Sequence, residues 1–244
     1  MKRFYTSVSV APAEAGGESG AETGWRVLLD GRAIKTPGGR PQIVPTSALA
    51  EAMADEWAEQ CGGEPGGEID PARFVLRDMA DYALDVVAPA RDEAVRGLLP
   101  YAETDTLCYR AEPDEALHER QLAVWEPLLA AAEARWGVRF ERVAGVIHRP
   151  QPAETLARLE TMLAGESDIA LAALRTLASL AASLVIGLEA LAPNAEAEAL
   201  WAAANLEEDW QVELWGRDPE AEALRARRFA AFASAMRFAE LARR

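Results

Sequence analysis

Lysine, histidine and cysteine are nearly absent from this chain, and each shortage removes a class of chemistry. Lys2 and Lys35 are the lysines, His118 and His148 the histidines, and Cys61 and Cys108 the cysteines. Two cysteines so far apart make neither a disulfide framework nor a zinc site, and read as free thiols of a reducing compartment. His118-Glu119 begins like a zinc-protease helix, but Leu122 stands where the second histidine ligand belongs. Without a partner pattern, each histidine reads as a surface or satisfied polar side chain. Cys108 lies between Leu107 and Tyr109, which favours a buried, inert thiol over a nucleophile.

Long hydrophobic runs are missing too. The longest apolar stretch, between Arg175 and Glu189, is interrupted by Thr176, Ser179 and Ser183 and is too short and polar to span a bilayer. The start, Met1-Lys2-Arg3-Phe4-Tyr5-Thr6, has a basic pair but no apolar core of a secretory signal. These features predict a cytoplasmic or matrix-like location. The glycine motifs of phosphate binding and of serine hydrolases are also lacking. Lys35-Thr36 follows Ala33-Ile34 rather than glycine, and Gly62-Gly63 and Gly66-Gly67 have no strand before them. No cofactor and no metal are expected.

Acid is what the chain has in excess: 40 Asp and Glu against 25 Lys and Arg, for a net charge of −15. That argues against the phosphate-neutralising surface of a nucleic-acid binder and against anionic membranes. It favours solubility and a partner with basic patches. With so many acids, a carboxylate-based hydrolase stays open as an alternative, as does a generic acidic adaptor.

The first third reads as strand and turn. Phe4–Val10 alternates, a Gly/Ala/Glu loop runs from Ala11 to Gly24, and Trp25–Leu29 and Arg32–Thr36 flank Asp30-Gly31, a type I′ hairpin signal. A short strand is expected at Gln42–Val44. Thr46 or Ser47 then caps a helix with Leu49, Met53 and Trp57 in one row. Cys61–Gly67, rich in glycine, reads as the domain linker, giving a β-rich N-terminal domain over 1–68 and a helical domain over 69–244. Helical periodicity predicts helices at Pro71–Val87, Pro89–Leu99, Pro113–Trp136, Ala153–Ala164, Asp168–Glu189, Asn194–Trp215 and Pro219–Ala242. Short extended segments are expected at Thr106–Arg110 and Val138–Ile147. The fold class is α+β.

Three of the seven tryptophans, Trp201, Trp210 and Trp215, fall within fifteen residues and are interleaved with acids. On one continuous helix, Leu206, Trp210 and Leu214 form a row, with Trp201, Val212 and Trp215 roughly opposite. Two readings follow: a central helix packed on both sides, or one face in the core and one at a partner, where tryptophan is enriched. In the last helix Phe229, Phe232, Met236 and Ala239 share a face. Glu240 opposes the helix macrodipole at its C-terminal end, with Arg237, Arg243 and Arg244 in reach for pairing. Trp57 reads first as core of the N-terminal lobe.

Read end to end, the chain resembles the assembly chaperones that attend the alpha subunit of the F-type ATP synthase catalytic head. The matching pieces are Phe4-Tyr5, Leu28-Leu29-Asp30-Gly31-Arg32, Lys35-Thr36-Pro37 and Ala54–Gln60. Further on come Thr104-Asp105, Leu107–Ala111, Gln121 with Trp125, Pro127-Leu128-Leu129 and Gln151-Pro152. Ser179–Leu188, Glu208-Asp209-Trp210-Gln211, Trp215-Gly216 and Asp218 complete the series. Their order over the full length is specific. Asp70–Arg77 is a loose match, and Ile147-His148-Arg149-Pro150 replaces a more apolar stretch. With no mitochondrial presequence, a bacterial cytoplasmic member is expected. The resemblance implies a two-domain, non-enzymatic chaperone, expected to be a monomer. It would mask the beta-facing surface of the free alpha subunit and yield it to the beta subunit. The candidate partner-contact residues are Glu208, Asp209, Trp210, Trp215, Trp57, Phe238 and Glu240.

Overall fold

The computed structural model describes residues 2–13, 24–64, 66–145 and 147–243. Most of the expected loop after Ala11, and Arg244 as a partner for Glu240, lie outside the described residues. The molecule is α+β, with strands near the N-terminus and helices through most of the remainder. Contacts divide it into two compact units: Met1–Ala90 with Arg237–Arg244, and Arg91–Met236.

The first unit is built on β1 (Val8–Ala13), β2 (Gly24–Leu29) and β3 (Arg32–Ala33), an antiparallel sheet in that spatial order. Val10 faces Val27 across the first pair. β1 therefore starts later than the alternation suggested and runs on through Pro12. The Asp30-Gly31 turn has φ of 47° and 76°, the left-handed pair a type I′ link requires. The Asp30 carboxylate also accepts from the backbone N–H groups and hydroxyls of Thr6 and Ser7, and these bonds hold its pKa at about 2. Gln42–Val44 forms no strand of its own: Val44 makes a single bridge to Trp25.

Helix α1 (Ser47–Ala58) packs on β1 and β2, capped by Thr46, whose hydroxyl accepts from Leu49 N–H. Leu49, Met53 and Trp57 are buried, as their spacing predicts. The glycine stretch after α1 is tied to the N-terminus. Gly66 N–H donates to Arg3 O, and Arg3 N–H donates to Gly67 O. Arg3 Nη1 donates to the carbonyls of Ala58 and Gln60. The next helix, α2 (Val75–Tyr82), belongs to the same unit. Glu56 accepts from Leu76 and Arg77 N–H at its start, and Phe74 packs tilted on Trp57 with ring centroids 4.4 Å apart. A π-helical turn follows over Ala83–Val87. Its Asp85 accepts from Thr36 Oγ1 and Gly38 N–H, fastening the turn after Lys35.

The second unit runs through α3 (Arg91–Arg96), α4 (Pro100–Glu103), β4 (Tyr109–Arg110), α5 (Ala116–Trp136) and β5 (Val143–Ala144), β4 and β5 being parallel. It continues in α6 (Ala153–Ala164), α7 (Asp168–Ala181), α8 (Leu184–Ala190), α9 (Ala197–Ala204), α10 (Leu206–Trp215) and α11 (Pro219–Leu241). The last residues of α11 cluster with the first unit. Within this unit, two helices expected to be continuous are broken. Ala182, at φ 48°, ends α7, and its carbonyl accepts from Thr106 N–H and Oγ1. Ser183 then caps α8, while the buried Asp105 accepts from Val185 N–H. The second break, at Asn205, decides the geometry of the candidate site.

Candidate partner-binding site

Asn205 adopts φ −111° and ψ 22°, so α9 ends there and α10 restarts in a new direction. Its side chain donates to Trp201 O at 2.8 Å, and its own carbonyl accepts from Asp209 N–H. The expectation of one helix with tryptophans on two opposite faces is corrected by this break. Trp201 sits in α9, is 6% exposed, and packs against Phe229 and Phe232 at centroid distances of 6.0 and 5.4 Å. It is core.

α10 itself is held from the sides by its acids. Glu207, Glu208 and Asp209 occupy its first turn, where the helix dipole favours negative charge. Gln121 donates to Glu207 at 2.7 Å. Arg120 makes a bidentate pair with Glu213 at 2.6 and 2.7 Å and lies over the Trp210 ring at 5.6 Å. Asp209 pairs with Arg225 of α11. These bonds lower the Glu213 carboxyl pKa and raise that of Arg225. Glu208 is exposed and, among the described residues, makes no hydrogen bond or ion pair; it feels Arg225 only through longer-range attraction.

With its sides fastened, α10 buries little. Leu206 is its one buried residue, Trp210 and Val212 are half-buried, Leu214 is 57% exposed and Trp215 is 78% exposed. Gly216, at φ 90°, ends the helix directly after Trp215. Two open grooves of about 680 Å³ each flank this end, and Gln211 and Trp215 line both. One is formed with α9 and α11 over Trp201, Val212 and Phe229. The other is formed with β4 and the start of α5, against Tyr109, Leu117, Trp210 and Leu214. Exposed tryptophan and leucine on a common edge are costly in water unless something covers them.

The seven candidate residues do not form one cluster. Glu208, Asp209, Trp210 and Trp215 come together on α10 in the second unit. Trp57, Phe238 and Glu240 belong to the first. Trp57, at 6% exposure, packs between Tyr5, edge-on, and Phe74, tilted, and Phe238 has no exposed surface. Neither buried ring presents itself to a partner, and both act through the core. Glu240 is exposed, and its carbonyl accepts from Arg243 N–H. Leu214 was assigned by periodicity to the same row as Leu206 and is exposed instead, because α10 runs past its packing partners. Tyr109 and Leu117 gave no local signal of lining a groove with it.

Catalytic chemistry finds no comparable assembly among the described residues. Burial raises the pKa of Asp105, to about 6, and also those of Glu56 and Asp81. Each is spent on structure: Asp105 on Leu107 and Val185 N–H, Glu56 on the start of α2, Asp81 on Gln42. None lines either groove. Cys108 is buried, and that burial pushes its thiol far up. His118 bonds Ala111 O and His148 bonds the Tyr109 hydroxyl. Among the described residues no three His, Cys, Asp or Glu side chains are gathered to hold a metal. No helix is long and apolar enough to cross a membrane.

Fold and surface thus define an α+β protein with an open, aromatic-edged helix end between two grooves. Comparison with known proteins gives its family. The model of the ATP12 chaperone protein family matches residues 2–133, and the chain belongs to that family. The crystal structure of Atp12 from Paracoccus denitrificans superposes with a TM-score of 0.88 at 36% identity, over 99% of this chain and 98% of that one. A putative chaperone from Agrobacterium tumefaciens gives 0.87 at 36% identity, over 98% and 85%. Mitochondrial atp12 of Schizosaccharomyces pombe is 27% identical over 201 residues, 78% of this chain and 68% of that protein. The resemblance read from the motifs is therefore a family membership.

Proposed function

We propose that this protein is an ATP synthase assembly chaperone that binds the unassembled alpha subunit, covers the surface meant for the beta subunit, and yields it when the beta subunit arrives. Family membership supports the chaperone role. The observation that carries a client surface is the exposed Leu214–Trp215 edge between two grooves, with Glu208 uncommitted beside it. An exposed apolar edge of a few side chains with a charged rim suits reversible capture. Free subunit interfaces aggregate, and the cover must later be displaced. The protein acts as a monomer in the bacterial cytoplasm and without nucleotide hydrolysis. The carboxylate-hydrolase alternative loses its footing, since the acids with raised pKa are committed to backbone and side-chain hydrogen bonds away from the grooves.

The test is co-expression with the alpha subunit. Soluble alpha subunit should rise, co-purify with the chaperone, and be released on adding beta subunit, with no ATP consumed. Alpha subunit that neither associates nor is protected from aggregation refutes the proposal. Capture of a different protein in its place would select the adaptor reading.

A further inference from the structure

Resting on the reading of α10 as the client surface, we infer that the groove between α10 and α11 is the seat for one apolar side chain of a basic, extended client segment. Two observations converge on it. The groove has an aromatic floor of Trp201 and Phe229 and a wall of Val212 and Trp215, so it fits an apolar anchor. The rim carries four carboxylates, Glu208, Asp209, Asp218 and Glu222, against two guanidiniums, Arg217 and Arg225.

The pairing within that rim makes the excess specific. Arg225 is taken by Asp209 and Arg217 by Glu222, at 3.1 Å in the second case. Asp218 accepts from Glu220 N–H at the start of α11, and Glu208 is uncommitted. The surplus is negative, so the complementary occupant carries lysine or arginine next to its anchor. A second copy of this chain is the wrong occupant, since two bodies of net charge −15 repel. The other groove does not reach Trp201 or Phe229.

The probe is a twelve-residue peptide of alternating leucine and arginine, with a leucine–glutamate peptide as control. Binding is followed by titration calorimetry and by the indole N–H resonances of the protein, the Trp201 signal being assigned with Trp201→Phe. The Leu/Arg peptide should bind, weaken with added salt, and shift the Trp201 resonance, since Trp201 lines the groove. Ala221→Trp fills this groove from an exposed position and should weaken binding about tenfold or more, as loss of a single anchor does. Glu208→Lys should do the same without touching packing, and Leu117→Trp, which fills the other groove, should not. Equal binding of the Leu/Glu peptide, an unmoved Trp201 resonance, or indifference to Ala221→Trp would overturn the inference. The isolated alpha subunit separates the two levels of the argument. Binding that survives Ala221→Trp but fails with Trp215→Ala overturns the groove assignment alone. Binding indifferent to both removes the α10 client surface as well.

Discussion

Replacing Trp57 with alanine should damage the fold of the first unit before it damages any interface. The indole is almost wholly buried and lies 5.5 Å from the Tyr5 ring and 4.4 Å from the Phe74 ring by centroid. The Arg77 guanidinium covers Phe74 at 3.6 Å and Trp57 at 5.5 Å, so it loses part of its aromatic bed too. Truncating a buried tryptophan to alanine costs about 3–5 kcal/mol through lost transfer energy and the cavity left behind. Against a total stability of about 5–15 kcal/mol, that is a large share. For a chain of this length it corresponds to a Tm lower by about 6–20 °C. Trp57→Phe should lose much less. It keeps a ring in the cluster and removes an indole N–H that is buried with no hydrogen-bond partner among the described residues. Urea and thermal unfolding by circular dichroism measure the effect, with alpha-subunit binding assayed below the transition. If Trp57→Ala costs under about 1 kcal/mol while binding is lost, Trp57 acts at a surface and the core assignment is wrong.

Asp105 should leave a signature in the pH dependence of stability. Its carboxyl holds a proton to about pH 6 when folded, against an ordinary 3.8, because burial penalises the charge. The folded state therefore binds more protons than the unfolded state between these values. Its contribution is most favourable below about pH 4 and falls by about 3 kcal/mol as pH rises to about 6. The difference between wild type and Asp105→Asn should carry that slope, and a flat difference from pH 4 to 7 would sink the assignment. Ala182→Gly should stabilise by about 0.5–1 kcal/mol, because alanine at φ 48° carries left-handed strain that glycine does not; a lower midpoint in urea would contradict it. Glu240→Lys should weaken alpha-subunit binding by about 1 kcal/mol with little change in Tm, as for a charge on an interface rim. An unchanged binding curve, or a collapse of stability, would count against Glu240 as a contact.

Legibility followed the range of the forces involved. The Asp30-Gly31 hairpin, the Thr46 cap, the buried row Leu49–Met53–Trp57 and the bounds of α6 rest on residues within a few positions of each other, and all could be read directly. The helix breaks could not. Ala182 and Asn205 are ordinary helix-compatible residues within apolar periodic stretches. What turns the chain at Ala182 comes from elsewhere: Thr106 donates to its carbonyl, and Asp105 accepts from Val185 N–H just beyond. The glycine stretch Cys61–Gly67 looked like a free linker, and hydrogen bonds to Arg3 fasten it to the start of the chain.

The same division runs through the candidate site. The chain's own residues determined that acids and tryptophans are concentrated around 201–215, that the charge excess is negative, and that the ordered motifs belong to one chaperone family. Tertiary structure alone decided which tryptophan is core and which is surface. It buried Trp201 against Phe229 and Phe232, left Trp215 open, and committed Glu213 to Arg120, 93 residues away, while leaving Glu208 uncommitted. Periodicity reports only which residues share a face of a helix. Whether that face meets protein or water depends on where the helix ends and on what distant segment packs against it.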